Sequence, residues 1–152
     1  MDLNYPIGIF DSGIGGLTVA NAILKQLPNE HIVYFGDTAH LPYGDKSADA
    51  IKSYAKKIGN FLVDKHAKII VIACNTASSV AYDLLTKSTP EHVQIINVID
   101  PVVHYIIQKK YKKVGVIGTQ GTIKSNIYQQ KIHLQDSSIK VHQLATPLLA
   151  PM

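Results

Sequence analysis

Short apolar runs rich in Val and Ile alternate along the chain with segments whose apolar residues recur every three or four positions. A short apolar run predicts a buried strand, and the longer period predicts an amphipathic helix. Alternating strands and helices are typical of βαβ units, so the predicted fold class is α/β, a parallel sheet flanked by helices. The predicted strands cover residues 7–10, 31–35, 69–73, 94–99, 114–117 and 140–144.

Apolar stripes at helical spacing lie between these strands. Ser47 precedes the second stripe as its predicted N-cap. Asp100 and Pro101 are predicted to open the fourth helix, as its cap and its first helical residue. The first three stripes are Leu17, Ala20, Ile23, Leu24 and Leu27; Ile51, Tyr54, Ala55, Ile58 and Phe61; and Ala77, Val80, Ala81, Leu84 and Leu85.

Glycines and small polar residues gather directly after the predicted strands. They occupy residues 11–13, 36–38, 74–76, 100–101 and 118–119. In an open parallel sheet the carboxyl ends of the strands share one edge, where α/β proteins bind their ligands. We therefore expect these distant residues to converge on a single crevice.

The composition is that of an ordinary globular protein, with 46% hydrophobic and 17% charged residues. No apolar run approaches the roughly 18–20 residues that span a bilayer, and residues 1–6 lack a signal-peptide pattern. The single cysteine excludes an internal disulfide. A cytoplasmic location with no membrane partner is therefore expected.

The net charge is +4, and all 15 basic residues are lysines. Lys109, Lys110, Lys112 and Lys113 cluster after an apolar helical segment, where cations favour a helix end. An anion or nucleic-acid patch is the alternative, and no nucleic-acid partner is expected. Because arginine is absent, a carboxylate ligand must be held by backbone N–H groups and by Ser, Thr and Asn side chains.

Cys74 is the most informative residue, because it ends a buried strand and begins a helix. The N-terminal end of a helix dipole stabilises a thiolate, which can act as a nucleophile or as a proton-transfer base. The alternative is a buried structural cysteine. Asn75 and Thr76 follow it, and two small polar residues with free helix N–H groups make a cradle for a carboxylate.

Asp11 and Ser12 open a glycine-rich turn at residues 11–17. Such a turn suggests a dinucleotide site, with Asp37 as the ribose-binding acid. The spacing opposes this, because Thr18 stands where the third glycine is required. A helix cap is the structural alternative for Asp11, and capping does not exclude a second role.

Two further segments carry candidate ligand groups. The loop His40-Leu41-Pro42-Tyr43-Gly44 forms a tight turn in which Tyr43 either closes over a ligand or packs on the surface. Thr119 and Thr122 offer hydroxyl and N–H groups after another strand, or act as a helix cap. The histidines show no metal-ligand spacing, and no metal is expected.

Five stretches of the sequence together resemble the glutamate racemase family of the aspartate/glutamate racemase superfamily. They are IGIFDSGIGGLTV at 7–19, YFGDTAHLPYGDKS at 34–47, IIVIACNTASSVA at 69–81, INVIDPVV at 96–103 and VGVIGTQGTI at 114–123. The resemblance implies interconversion of L- and D-glutamate without a cofactor, pyridoxal phosphate or metal. It also implies a role in supplying D-glutamate for peptidoglycan.

The resemblance also implies which residues act. Cys74 is the catalytic base on one face of the substrate, and Asp11 assists proton movement and binds the substrate ammonium. The other implied substrate contacts are Ser12, Pro42, Tyr43, Gly44, Asn75, Thr76, Thr119 and Thr122. A homodimer is one arrangement compatible with this family.

The main departure from the family is the second catalytic cysteine, which belongs to a downstream G-C-T-H motif, whereas Cys74 is the one cysteine here. We therefore expect residues 1–98 to form most of a first α/β domain and residues 99–152 an incomplete second one. No helix is predicted after the last strand, so either a truncation or a partner chain explains an uncovered sheet. We expect this chain alone to be inactive. An aspartate racemase, or a non-catalytic ligand-binding relative, is the alternative.

Overall fold

The computed structural model describes residues 4–149 and has the predicted α/β architecture. The strands are β1 (Ile7–Asp11), β2 (Ile32–Gly36), β3 (Ile69–Ile72), β4 (Gln94–Asn97), β5 (Lys113–Gly118) and β6 (Lys140–Ala145). The helices are α1 (Leu17–Gln26), α2 (Ala48–Asp64), α3 (Asn75–Ser88), α4 (Ile99–Gln108), α5 (Gln120–Ser125) and α6 (Ile127–Gln135). A short 3₁₀ turn, Tyr43–Asp45, precedes α2.

The strands form two separate parallel sheets. The first has the order β2-β1-β3-β4, so β1 and β3 are its central strands. Their register pairs Ile9 with Val71 and Phe10 with Ile72. The second sheet pairs β5 with β6, and Gly118 lies opposite Ala145 at its carboxyl end.

Apolar side chains cover both faces of the first sheet. On one face Phe10 and Ile72 pack in a cluster with Ile51 and Leu62 of α2. On the other face Ile9 and Val71 pack with Ala20 of α1. Burial on both faces explains why these strands are continuous apolar runs in the sequence.

The second sheet has an apolar cluster of its own. Ile99 and Val103 of α4 pack with Ile132 of α6, and Val114 and Val141 of the sheet contact them. The opposite face carries Ile117 and Leu144, which are 65% and 64% exposed. The second sheet is therefore covered on one face only by the described residues.

The predicted strands and the first four helices are confirmed, with three corrections at the start of α4. The predicted strand 94–99 ends earlier, at Asn97; Asp100 is not the helix cap; and Pro101 is the third helical residue, not the first. The Asn97 side-chain oxygen instead accepts hydrogen bonds from the N–H groups of Ile99 and Asp100, at 2.9 and 2.8 Å. This asparagine ends the strand and starts the helix in one step.

The first predicted stripe is wrong in part, because Leu17, Leu24 and Leu27 are between 43% and 49% exposed. Helix α1 packs on the sheet through Ala20, and Val19 and Ile23 pack against the same cluster. The helix face that carries these three residues is turned to the sheet, which leaves the leucines on the outer side. The predicted N-cap Ser47 is confirmed by its bond from the N–H of Ala50, at 3.2 Å.

The expectation of one shared sheet edge is also wrong in part. Gly118 and Thr119 follow a strand of the second sheet, whereas the other four polar segments follow strands of the first.

The lysine cluster lies at the end of α4, with Lys109 as its C-cap, and its members are exposed. None of the helices within residues 4–149 is long and apolar enough to cross a bilayer. Residues 1–3 and 150–152, which are the outer ends of the two predicted domains, lie outside the described residues.

Replacing Gly16 by alanine is expected to destabilise the fold. A Cβ atom at this position would lie 2.6 Å from Asp11 Cβ and 2.9 Å from Ala73 Cβ, so the β1 and β3 ends must shift. We expect the free energy of unfolding to fall by about 1–3 kcal/mol, the usual cost of overpacking. Urea denaturation followed by circular dichroism measures it.

Gly115→Ala is the matched control, since a Cβ there meets no heavy atom within 4 Å. Its effect is expected to stay within about 1 kcal/mol. Equal losses in the two variants would contradict the steric explanation.

Candidate active site

The central strands of the first sheet bring Cys74 and Ser12 together. The N–H of Ala73 donates to the Phe10 carbonyl at 2.8 Å, which extends the pairing to the ends of β3 and β1. Directly beyond this bond, the Cys74 thiol donates to Ser12 Oγ over 3.6 Å. Two segments separated by 62 positions thus meet at one point.

Cys74 is the N-cap of α3, and its Sγ accepts from the N–H of Ala77 at 3.4 Å. Burial raises the pKa of the thiol, and the negative charge of Asp11 raises it further. The N–H of Ala77 lowers the pKa, and so does Ser12, whose hydroxyl donates to the sulfur once the sulfur has lost its own proton. The expected stabilisation by the helix end is therefore present, but desolvation outweighs it and the resting group is a thiol.

The Asp11 carboxylate is buried and anchors the glycine-rich turn. Its Oδ2 accepts from the N–H groups of Gly13 and Gly16, both at 3.1 Å. The helix-cap alternative for Asp11 is wrong, because Gly16 is the N-cap of α1; Asp11 instead closes the turn that precedes the helix. Both bonds reach a single oxygen atom, which leaves Oδ1 for another partner.

Tyr34 also belongs to this corner of the molecule, although sequence reasoning gave it no role. Its hydroxyl donates to the Gly13 carbonyl at 2.9 Å. Burial, then the negative charge of Asp11 and that of Cys74 when it is ionised at high pH, raise the pKa of Tyr34 to about 12. The tyrosine therefore stays neutral and supports the turn from the β2 side.

Three threonine hydroxyls meet where the two sheets approach each other. Thr76 Oγ1 lies 2.8 Å from Thr119 Oγ1 and 3.3 Å from Thr122 Oγ1. Thr119 and Thr122 are 3.1 Å apart, so the hydroxyls form a closed triangle. Thr119 also accepts from the N–H of Thr122 at 3.2 Å, which confirms the helix-cap alternative for it.

The loop that contains Pro42, Tyr43 and Gly44 lies against this threonine triangle. A Cβ atom on Gly44 would be 2.7 Å from Thr119 Cβ, so only glycine allows the loop to approach this closely. Pro42 is half-buried and forms the N-cap of the 3₁₀ turn. The loop therefore joins the first sheet to the start of α5.

Tyr43 is buried, and its hydroxyl is turned towards Asp37. It donates to Asp37 Oδ2 at 2.6 Å, and His40 Nδ1 lies 2.8 Å from Oδ1 of the same carboxylate. Burial, and then the bond to Asp37, raise the pKa of Tyr43. Sequence reasoning considered Asp37 only as the acid of a dinucleotide site, and its role in fixing this loop was missed.

Asn75 is exposed at the first turn of α3, and Tyr128 of α6 holds its side chain. The Tyr128 hydroxyl donates to Asn75 Oδ1 at 2.7 Å. Both residues line a groove of about 490 Å³, together with Thr119 and Thr122. The role of Tyr128 was also missed, because nothing in the local sequence links residue 128 to residue 75.

The predicted site residues thus form two adjacent groups. Cys74, Asp11 and Ser12 make one corner, and the groove does not reach them. Asn75 and the threonine triangle make the other, with Gly44 against it. The consecutive residues 74–76 connect the groups. Within residues 4–149, no three His, Cys, Asp or Glu side chains are grouped so that they could hold a metal ion.

Comparison with known proteins identifies the family. A family model described as Asp/Glu/Hydantoin racemase matches residues 7–146. The chain belongs to this family. Glutamate racemases from Streptococcus pneumoniae are 45% identical to it over 150 residues, which covers 98% of this chain and 56% of each relative.

Solved structures of the racemase family show the same fold. The glutamate racemase of Francisella tularensis in complex with D-glutamate has a TM-score of 0.92 and 42% identity, and covers 98% of this chain and 55% of its own. An isoform from Bacillus anthracis has a TM-score of 0.93 and 41% identity, over 98% and 56% of the two chains. The chain thus spans little more than half the length of the relatives it matches.

The reactivity of the Cys74 thiol is expected to depend on its two polar neighbours in opposite ways. Alkylation by iodoacetamide should reach its half-maximal rate at a higher pH in the folded chain than in the urea-unfolded chain, since burial disfavours the thiolate. Ser12→Ala should raise this midpoint further, because a stabilising hydrogen bond is lost. Asp11→Asn should lower it by removing a negative charge, while an amide oxygen still accepts from Gly13 and Gly16.

Rate–pH profiles of the single cysteine measure these midpoints directly. Ser88→Ala, at the exposed end of α3, is the control and should leave the midpoint unchanged. A folded midpoint at or below the unfolded one would show that the assigned balance of burial and hydrogen bonding is incorrect.

Proposed function

We propose that this chain provides one half of the catalytic apparatus of a glutamate racemase, which interconverts L- and D-glutamate by cysteine-based proton transfer. The observation that carries the proposal is the thiol of Cys74 beside Ser12, directly adjoining a cluster of hydroxyl and amide groups. The Francisella relative, whose structure contains D-glutamate, supports the substrate. The proposed role of this reaction is to supply D-glutamate for peptidoglycan synthesis.

Cys74 is proposed as the base on one face of the substrate. Its thiolate takes the α-proton, so the Cα–H bond breaks, an S–H bond forms and the electron pair stays on carbon. A proton donor on the opposite face then forms the new Cα–H bond with inverted configuration. The raised pKa of the Cys74 thiol means that the sulfur must first release its proton to solvent before this step.

Asp11 is proposed to bind the substrate ammonium and to assist that first proton movement. Its carboxylate is one of the causes of the raised pKa of Cys74. An ammonium group beside Asp11 would compensate this negative charge and make the thiolate less costly. Substrate binding would therefore activate the base.

The substrate carboxylates are proposed to be held without a guanidinium group. Donors are available from the hydroxyls of Thr76, Thr119 and Thr122, from the Asn75 amide and from the first turn of α3. The Pro42–Gly44 loop closes one wall. Neutral donors at a helix N-terminus suit a carboxylate, because the helix dipole adds a favourable field.

We propose that the racemase requires a second proton-transfer group from outside residues 1–152. Cys74 is the one cysteine of this chain, and a base on one face cannot return a proton to the other. We also propose that residues 1–98 and 99–152 belong to two domains. This division is supported by the two sheets, because the apolar clusters of the first sheet end at Ile96 and that of the second begins at Ile99.

Racemisation should appear when the C-terminal part of a full-length relative is joined to this chain, and it should depend on Cys74. Residues 1–152 are joined to the C-terminal part of the Streptococcus pneumoniae glutamate racemase that this chain does not match. Chiral chromatography measures inversion, and mass spectrometry measures deuterium uptake at Cα in D₂O. Cys74→Ser should reduce the rate about 10²- to 10⁴-fold, the usual contribution of a positioned base.

Ser88→Ala is the control in this joined enzyme and should retain full activity. Full activity of Cys74→Ser would overturn the proposed mechanism. Glutamate binding without inversion in the joined enzyme would favour the non-catalytic alternative. Robust inversion by residues 1–152 alone would refute the need for an outside group.

The threonine triangle should contribute to ligand affinity beyond its structural role. Thr119→Val removes a hydroxyl that contacts Thr76 and caps α5, so we expect a loss of about 1 kcal/mol in the free energy of unfolding. We also expect the Kd of the 152-residue chain for D-glutamate to rise about three- to tenfold, because one hydrogen-bond donor to the ligand is lost. Thr119→Ser keeps the hydroxyl and should restore both values.

Calorimetry of D-glutamate binding and urea denaturation separate the two effects. Thr86→Val is the control, since the Thr86 hydroxyl bonds only along the exposed part of α3. If Thr119→Val loses stability but keeps the wild-type Kd, the triangle is structural and does not hold the ligand.

A further inference from the structure

Tyr128 connects the second apolar cluster to the first residue of α3. Its ring is buried with Ile132 and Val103, and only 9% of the residue is exposed. Its hydroxyl crosses from α6 to the Asn75 side chain, 53 positions away in sequence, and the bond is 2.7 Å long. The proposed chemistry of Cys74 does not use this contact.

The direction of the hydrogen bond determines what Asn75 can offer to a ligand. A side-chain amide has an acceptor oxygen and an NH₂ group with two donors. When a phenol donates to the amide oxygen, the oxygen end of the amide is held towards the phenol. The NH₂ group is then left for a partner that only accepts, such as a carboxylate.

The surroundings of Tyr128 favour the phenol as the donor. Its ring lies among aliphatic side chains, and among the described residues Asn75 Oδ1 is the one acceptor within hydrogen-bond distance of its hydroxyl proton. Asn75 itself is exposed and lines the same groove as Tyr128. The amide is thus held from the buried side and open on the groove side.

We propose that Tyr128 is a positioning residue, which orients the Asn75 amide so that its NH₂ group donates to a carboxylate of the bound amino acid. This inference rests on the proposed function, because it assigns the orientation of one group in the substrate site. Without the phenol, the amide rotates freely and presents its oxygen to the carboxylate for part of the time. In a site without arginine, the loss of one oriented donor has a larger effect on affinity.

The test uses the 152-residue chain with ¹⁵N-labelled side chains and the variant Tyr128→Phe, which keeps the ring in its apolar cluster. The Asn75 NH₂ signals are assigned by their loss in Asn75→Ala. In the free wild-type chain we expect two well-separated N–H resonances with high order. In Tyr128→Phe they should move towards the positions and mobility of an unrestrained amide.

Titration with D-glutamate gives the second measurement. Tyr128→Phe should raise the Kd about three- to tenfold, the range of one neutral hydrogen bond. In the Asn75→Ala background the same substitution should change the Kd by less than about twofold, since Tyr128 acts through Asn75. Tyr82→Phe, which also removes one phenol hydroxyl, is the matched control and should leave the Kd unchanged.

The outcomes separate this inference from the proposed function. Unchanged Asn75 signals in Tyr128→Phe, or equal effects of the substitution with and without Asn75, overturn the positioning role and leave a structural one. A wild-type chain that shows no affinity for D-glutamate contradicts the proposed function, whatever the amide signals show. Circular dichroism of each variant confirms that the fold is retained.

Discussion

The parallel register of β1 and β3 is the constraint on which the candidate site depends. Because Phe10 pairs with Ile72 and its carbonyl accepts from Ala73, the two strands end side by side. A shift of one residue would turn every side chain of a strand to the opposite face. Cys74 would then lose its contact with Ser12. The thiol is thus positioned by backbone hydrogen bonds and by apolar burial on both faces of the sheet, not by a flexible loop.

Side-chain hydrogen bonds connect the second sheet to the helix that begins after Cys74. The hydroxyl of Thr76, on the first helical turn after Cys74, bonds to Thr119 and Thr122, and the glycine at position 44 allows the neighbouring loop to approach Thr119. Each hydroxyl both donates and accepts, so the triangle is satisfied without a ligand. A carboxylate that enters must exchange these bonds for its own. The net gain from such an exchange is small, and charge and helix-dipole effects must supply the remainder of the affinity.

Sequence reasoning predicted the features that depend on local pattern. The strand positions, the Ser47 cap and the presence of Cys74 at a strand–helix junction follow from periodicity and residue type. Features that depend on tertiary contacts were missed. The outward leucines of α1 could not be predicted, because several apolar faces of this helix fit the same spacing and tertiary packing selected the one with Val19, Ala20 and Ile23. The periodicity alone placed all strand ends at one sheet edge, and only the family resemblance divided the chain at residue 98. The reach of Tyr128 to Asn75 depends on a contact between distant segments.

The electrostatics of the corner formed by Asp11, Ser12 and Cys74 connect binding to chemistry. A buried thiol beside a carboxylate resists ionisation, and the chain has no arginine to offset that charge. The resting site is therefore protected against unwanted reactions of the thiolate, since thiols react far more slowly. In the proposed racemase, an amino acid would bring its own ammonium group to the Asp11 carboxylate and would place its α-carbon next to the sulfur at the same time. A ligand without an ammonium group could occupy the hydroxyl-lined groove without lowering the cost of ionising the thiol. Selection for an amino acid over other carboxylates would then occur at the ionisation of Cys74 as well as at binding.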